Sequence, residues 1–258
     1  MSDKKTGTVP ALDRAVELLN ALAKANKPLL LSELIEQTGI SRSTAFNTLA
    51  TLQVHGFVQK DERYKNYRIG IALFELGRAY IEQVSLLPSF EEIAEELVAT
   101  CSETVKLVVR DERDVIYMAK VEGEHSVRLV ARVGLRMPAH LTAVGKVLLA
   151  QLSDAEIDTL YQGYEFSTRT PNSIKDLNEL KARLQPVRDQ GYAYDLEESN
   201  IGVYCVAAPI CDLSGNVVAA MSIGVPDNRL SDGKMDDLTK LVTQAARKLS
   251  RTLGWSEK

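Results

Sequence analysis

The most constraining feature of the sequence is a short helix, a glycine turn and a longer helix close to the N-terminus. Apolar residues recur at steps of three and four over residues 11–23, which predicts a preceding amphipathic helix. Ser32 is positioned as the N-cap of the short helix, and Gly39 supplies a turn that accepts a positive φ. Ser41 then caps a longer helix that runs to about His55. This order of elements predicts a helix-turn-helix unit.

The longer helix has a face that is unusual for a solvent-exposed surface. At about 100° per residue, Ala45, Leu49 and Leu52 share one side and form its core face. The opposite side carries small, uncharged side chains with hydrogen-bonding groups and lacks Glu and Lys, which suits contact with base edges in the DNA major groove. The residues of this helix that we predict to contact DNA are Arg42, Ser43, Thr44 and Asn47.

Two β-prone segments, residues 57–60 and 64–69, follow this unit with a turn between them, which predicts a β-hairpin wing. Arg63, Lys65 and Arg68 are predicted to contact phosphates or the minor groove. An ordinary surface hairpin is the alternative. Residues 1–70 hold ten Lys/Arg against seven Asp/Glu, in a chain whose net charge is −4. This asymmetry favours nucleic acid as the partner of the N-terminal part.

The remainder of the chain predicts an α+β fold, an antiparallel sheet with packed helices. We expect a winged helix-turn-helix domain over residues 1–70, a helical linker over 71–88 and an effector-binding domain over 89–258. The linker helix is expected to break at Pro88, and Ser89 to cap the next helix. The predicted strands are residues 105–110, 115–121, 127–133, 192–197, 203–211 and 217–224, and the predicted helices are residues 142–152, 153–161, 173–189 and 231–253.

Several classes of protein are disfavoured by composition. No apolar run approaches the length of a membrane span, and the polar N-terminus lacks the apolar region of a secretory signal. Three cysteines make no disulfide framework, so we expect a cytoplasmic protein. We expect no metal, because Cys205 and Cys211 are six positions apart and the three histidines are dispersed, and no cofactor.

A catalytic interpretation has one candidate nucleophile. Cys205 with His140 or His125 as its base is the only pairing that the sequence offers, and no local motif supports it. We therefore predict that the protein is not an enzyme and has no catalytic residues. Two alternatives stay open: a cysteine-dependent enzyme, and a small-molecule sensor or scaffold that does not bind DNA.

Five stretches carry a family resemblance: residues 11–15, 40–44, 138–150, 191–198 and 202–210. In their order and spacing the chain resembles the IclR-type bacterial transcriptional regulators. The resemblance implies a winged helix-turn-helix head, a linker helix and a ligand-sensing body with a GAF-like fold. It also implies sequence-specific binding of double-stranded operator DNA by a homodimer or homotetramer.

The start of the helix predicted after residue 141 indicates an effector site. Thr142 as its N-cap predicts free backbone N–H groups at Val144 and Gly145, which would suit a carboxylate; an ordinary capped helix is the alternative. The effector residues that the resemblance implies are Ala143, Val144, Asp195, Cys205 and Ser222, and we predict that Cys205 and Leu129 form walls of the pocket. We expect a small organic or aromatic acid whose carboxylate meets the backbone near Val144 and whose polar end meets Asp195 and Ser222.

Overall fold

The computed structural model describes residues 8–25, 27–83, 86–123, 125 and 132–256. The chain divides into two compact units with a boundary between residues 84 and 85. The helix after the predicted wing therefore groups with the N-terminal unit, although the sequence predicts a domain boundary at residue 70. The predicted wall residue Leu129 lies outside the described residues, as does most of the predicted strand at 127–133.

The N-terminal unit consists of helices around a small antiparallel sheet. Its elements are α1 Pro10–Ala25, β1 Leu29–Leu30, α2 Leu31–Thr38, α3 Arg42–Val54, β2 Val58–Lys60, β3 Asn66–Ile69 and α4 Ile71–Gln83. The strands pair in the order β1-β3-β2. Leu18, Leu34 and Leu49 from the first three helices are fully buried in one core. The helix-turn-helix and its hairpin are thus present in the described chain.

The caps of α2 and α3 decide where the two helices begin. Ser41 caps α3 as predicted, since its Oγ accepts a hydrogen bond from the Thr44 N–H at 3.4 Å. The prediction that Ser32 caps α2 is wrong. The chain stays extended through Leu30, which pairs with β3, and the Glu33 carboxylate accepts the Leu30 N–H at 2.6 Å. An acidic side chain in the first turn replaces the expected serine.

The C-terminal unit is a six-stranded antiparallel sheet with helices on both faces. Its elements are α5 Leu86–Cys101, β4 Thr104–Asp111, β5 Asp114–Val121, β6 Arg136–Pro138, α6 Ala143–Leu149, α7 Asp154–Leu160, α8 Leu177–Gln190, β7 Ala193–Leu196, β8 Val203–Cys211, β9 Val217–Pro226 and α9 Lys234–Thr252. The strand order is β6-β5-β4-β9-β8-β7. This architecture confirms the predicted α+β class.

Neighbouring residues of β7 show how the layers are arranged. The Tyr194 hydroxyl contacts Thr239 of α9 at 3.0 Å, whereas Asp195 lies on the opposite face, towards α6. Helix α5 packs with α9, and α6 packs with α8. All seven residues of α6 are buried, so this short helix fills the centre of its layer. The face that α6 covers is called the inward face below.

Helices α5, α8 and α9 begin at other residues than predicted, and α9 starts at Lys234 and not at residue 231. Helix α5 starts at Leu86 and not at Ser89, because Pro88 falls in the first turn, where its missing N–H has no intrahelical acceptor to lose. Residues 86–88 of the predicted linker therefore belong to α5. Helix α8 starts after Asp176, whose carboxylate accepts the Glu179 N–H at 2.8 Å. The Ser173 hydroxyl is buried and donates to the Glu198 carbonyl at 2.7 Å.

The packing of α6 predicts a strong asymmetry between two helical glycines. A Cβ added at Gly145 would lie 2.0 Å from the Ala139 carbonyl oxygen, whereas a Cβ added at Gly77 in α4 would meet nothing within 4 Å. Gly145→Ala should destabilise the C-terminal unit by about 1–3 kcal/mol, because the backbone must move. Gly77→Ala should leave stability unchanged or raise it by about 0.5–1 kcal/mol. Calorimetric unfolding measures both, and equal effects of the two substitutions would contradict the packing described.

Candidate nucleic-acid interface and ligand cavity

One exposed, concave surface of the N-terminal unit joins α3 to the hairpin. Arg42, Ser43 and Asn47 lie on it, as predicted from the face pattern of α3. Its complete lining is Leu31, Arg42, Ser43, Phe46, Asn47, Lys60, Lys65 and Tyr67. Sequence reasoning missed Phe46, whose side chain is 51% exposed, and Lys60. Phe46 was detectable, because an aromatic residue one step from Asn47 on an otherwise polar face has no core to join.

Thr44 differs from the other predicted DNA-contacting residues. It is half-buried at the edge of the exposed face, and its hydroxyl accepts a hydrogen bond from Ser41 Oγ at 2.9 Å. The structure thus places Thr44 at the start of α3, where it belongs to the cap. Ser43 and Asn47 are exposed.

The predicted wing cations lie on the exposed hairpin and have partners within it. The Arg63 guanidinium lies 5.1 Å from the ring centroid of Tyr64, and the Lys65 ammonium contacts Glu62 at 2.9 Å. Arg68 donates twice to the Gln59 side-chain oxygen, at 3.1 and 2.8 Å. Exposed contacts of this kind contribute little to stability, so a phosphate can replace them at small cost.

A cavity of about 270 Å³ lies in the C-terminal unit between the inward face of the sheet and the start of α6. It brings together Ala143, Val144, Asp195, Cys205 and Ser222, which are five of the six predicted effector residues. The remaining lining residues are Lys106, Tyr117, Leu135, Met137, Thr142, Ser199, Asn200 and Val203. Sequence reasoning missed Lys106, which enters from β4.

Strand register explains why these residues meet. Cys205 lies opposite Asp195 in the β7–β8 pair, and Ser222 lies opposite Lys106 in the β4–β9 pair. Directly opposed residues in antiparallel strands point to the same face. Both pairs therefore project from the inward face into the cavity.

The Asp195 carboxylate is engaged by the turn that follows β7. Its oxygens accept the Glu198 N–H at 2.7 Å, the Ser199 N–H at 3.3 Å and the Ser199 hydroxyl at 2.6 Å. Burial raises the pKa of Asp195, and the hydrogen bond from Ser199 opposes that rise. Asp195 therefore orders one wall of the cavity, a role that the sequence analysis did not foresee.

A buried ion pair ties the same turn to α6. Lys146 Nζ lies 2.5 Å from both carboxylate oxygens of Glu198, and each side chain is less than 5% exposed. Since the Glu198 N–H also donates to Asp195, one connected network runs from α6 to the wall of the cavity. A buried network of this kind stabilises the fold only when each of its charged and polar groups has a partner.

The expectation of two free amides at the start of α6 is wrong for Gly145. Its N–H donates to the Thr142 hydroxyl at 3.0 Å, so the N-cap occupies the group that was assigned to a carboxylate. Helix α6 has only seven residues, which limits its dipole. The N–H of Val144 lies in the first turn, where helix geometry supplies no backbone acceptor.

The catalytic pairing finds no support in the geometry. Burial raises the pKa of the Cys205 thiol to about 12, so the thiolate nucleophile is scarce at neutral pH. Neither His140 nor His125 lines the cavity with Cys205, and His140 donates from Nε2 to the Ser167 carbonyl at 3.1 Å. Among the described residues there is no group of three His, Cys, Asp or Glu side chains placed to hold a metal. None of the described helices is long and apolar enough to cross a membrane.

The chain combines a winged helix-turn-helix unit with an α+β unit that contains an internal cavity. This architecture places it in the class of DNA-binding transcriptional regulators. Residues 11–62 match the IclR helix-turn-helix domain, and residues 78–251 match the C-terminal domain of the bacterial transcriptional regulator IclR. The chain belongs to the IclR family of bacterial transcriptional regulators.

Similar proteins span the whole chain. The HTH-type transcriptional regulator XynR of Escherichia coli is 32% identical over 247 residues, covering 96% of this chain and 98% of that protein. The HTH-type transcriptional regulator KdgR of the same organism is 31% identical and covers 99% of this chain and 97% of its own. The crystal structure of the Thermotoga maritima IclR matches with a TM-score of 0.75 at 31% identity, covering 95% of this chain and 99% of that one.

The Lys146–Glu198 pair predicts a marked non-additivity. Lys146→Met leaves a buried carboxylate without its partner and should destabilise the C-terminal unit by about 3–5 kcal/mol. The double variant Lys146→Met/Glu198→Leu removes both charges and should recover most of that loss. Lys240→Met, which breaks the exposed pair with Asp237, is the control and should show no measurable change. Denaturant unfolding of all three variants tests this, and a double variant as unstable as Lys146→Met would contradict it.

Proposed function

We propose that this protein regulates transcription in the cytoplasm by binding an operator through α3 and the wing, and that a small carboxylate-bearing effector in the C-terminal cavity changes this binding. The observation that carries the proposal is the cavity itself. It gathers residues from 106 to 222 of the chain around a space of about 270 Å³. This volume is just below that of pockets that bind drug-sized ligands, so the cavity suits a small metabolite.

The DNA-binding part of the proposal rests on the chemistry of the concave surface. Ser43 and Asn47 offer hydrogen bonds to base edges, and the exposed ring of Phe46 offers an apolar contact to a thymine methyl group. Lys60 and Lys65 border the same surface and suit the phosphate backbone. The second candidate function is a sensor that does not bind DNA. It does not explain why these side chains are exposed together on one concave surface.

The single helix-turn-helix of each chain is a small DNA-binding unit, which supports a dimer. One helix-turn-helix per chain contacts only one half-site, so we propose that two chains read a pseudo-palindromic duplex. Large apolar side chains are exposed on α1, at Leu12 and Val16, and on α4, at Ile71 and Phe74. Exposed apolar groups of this size support self-association as a dimer or tetramer.

The effector acts, in this proposal, by preferring one arrangement of the dimer over another. A preference of about 1–3 kcal/mol changes operator affinity roughly 5- to 150-fold. The buried network through Lys146, Glu198 and Asp195 joins the cavity wall to α6 and gives the occupied cavity a rigid border. The Cys205 thiol, held neutral by burial, serves as part of that border, and we propose no catalysis.

Replacing Asn47 with Ala should separate specific from non-specific binding. On a duplex selected from a random library by the wild-type protein, the loss should be about 1–3 kcal/mol, with little loss on unselected DNA. Arg68→Ala is the matched control, because a phosphate contact weakens both duplexes alike and lowers the salt slope by about one. Fluorescence anisotropy at several salt concentrations measures both, and equal losses for Asn47→Ala on the two duplexes would show that Asn47 does not read bases.

Filling the cavity should uncouple the operator from the effector. Val144→Arg places a long charged side chain in the cavity, so operator binding should persist while its response to small acids is lost. Val218→Arg, at an exposed valine of β9 outside the cavity lining, is the control and should respond like the wild type. Anisotropy with and without acid shows the response. A Val144→Arg protein that responds normally would place the effector elsewhere.

A further inference from the structure

Lys106 occupies an unusual position for a cation. It lies on β4, which pairs on both sides with β5 and β9 near the middle of the six-stranded sheet. Its side chain points into the inward face, lines the cavity and leaves the residue only 6% exposed. The ammonium lies 5.9 Å from the ring centroid of Tyr117, and no carboxylate of the described residues pairs with it.

Among the described residues, the other buried charges near this sheet have charged partners, except Asp195, which is hydrogen-bonded within its own turn. Lys146 pairs with Glu198, and Glu103 pairs with Arg229 and Lys234. Lys120, which lies opposite Lys106 on β5, contacts Glu122 at 2.6 Å. Burying a charge that has no partner costs free energy. A buried cation without a partner in the protein is therefore a candidate site for an anionic ligand.

The one acidic group of the cavity lining does not serve as that partner. Asp195 accepts its three hydrogen bonds from Glu198 and Ser199, within its own turn. Ser222, which lies directly opposite Lys106 on β9, is 4% exposed, and its hydroxyl forms no hydrogen bond with the described residues. A cation and a hydroxyl thus stand side by side in the cavity with unused hydrogen-bonding capacity.

We propose that Lys106 binds the anionic group of the effector, with the Ser222 hydroxyl beside it, and that the effector is a small hydroxylated monocarboxylate. This rests on the proposed function and moves the carboxylate from the end of α6 to the sheet. One unpaired cation balances one negative charge, and a second carboxylate would meet the acidic Asp195 wall. Asn200, Ser199 and Thr142 border the rest of the cavity and favour hydroxyl groups on the ligand.

The test compares acids with neutral molecules of the same skeleton on the full-length protein. The probe pairs are lactate with lactamide, glycerate with glycerol, and gluconate with glucitol. Calorimetry should show that at least one acid binds the wild type while its neutral counterpart does not. Lys106→Met should weaken that acid roughly 10- to 150-fold, the usual loss for a hydrogen bond to a charged group. Lys240→Met, the same change at an exposed lysine of α9 that pairs with Asp237, should bind as the wild type does.

A second measurement is independent of any ligand. Without acid, Lys106→Met should melt at a higher temperature than the wild type, because it removes an uncompensated buried charge and keeps the aliphatic volume. This readout also shows that the variant folds. Equal acid affinities of the wild type and Lys106→Met, including no binding to either, overturn the assignment of Lys106.

The outcomes separate this assignment from the proposed function. An acid that binds through Lys106 and leaves the affinity for the selected duplex unchanged supports the site and refutes the regulatory coupling. An acid that changes duplex affinity equally in the wild type and in Lys106→Met supports the coupling and overturns the assignment of Lys106.

Discussion

The contact between α6 and the inward face of the six-stranded sheet is the constraint on which the C-terminal unit depends. The helix is short, completely buried and packed against β8 and β9, and at Gly145 it approaches the Ala139 carbonyl of the preceding turn too closely for any Cβ. Close packing of this kind leaves few voids. The cavity begins where that contact ends, at Thr142 and Val144, so its walls are set by rigid elements and its volume is a property of the fold.

The turn after β7 closes the cavity and is held from three directions. Asp195 receives its backbone and side-chain donors, Lys146 neutralises Glu198, and the Ser173 hydroxyl donates to the Glu198 carbonyl. Thr170 adds a hydrogen bond of 2.6 Å to the Glu197 carbonyl. These contacts link the wall of the cavity to α6 and to the segment before α8. In the function proposed above, a change in cavity occupancy would act on these packed elements.

Much of the N-terminal unit was predictable because its signals are local. The spacing of Ala45, Leu49 and Leu52, the Ser41 cap and the Gly39 turn all act within a few residues, and the structure has them as expected. The errors at Ser32 and Ser89 arose where a more distant contact or a proline position decided the boundary. Local patterns cannot report such competition.

The cavity was predictable only in part. The family resemblance indicated Ala143, Val144, Asp195, Cys205 and Ser222, and the fold brings these residues together. Lys106 was not found, because a lysine that alternates with valine and leucine in a strand is typical of a solvent-facing position. Only the pairing of β4 between β5 and β9, with α6 above it, shows that this face is covered. Sequence spacing carries no information on which face a distant helix will cover.

If the cavity and the operator are energetically coupled, linkage requires that DNA changes the affinity for the acid. Isothermal titration should give the dissociation constant of the tightest-binding acid for the free protein and for the protein saturated with the selected duplex. We predict that the two constants differ about 5- to 150-fold, by the same factor with which the acid changes duplex affinity. Identical constants for the free and DNA-bound protein would contradict it.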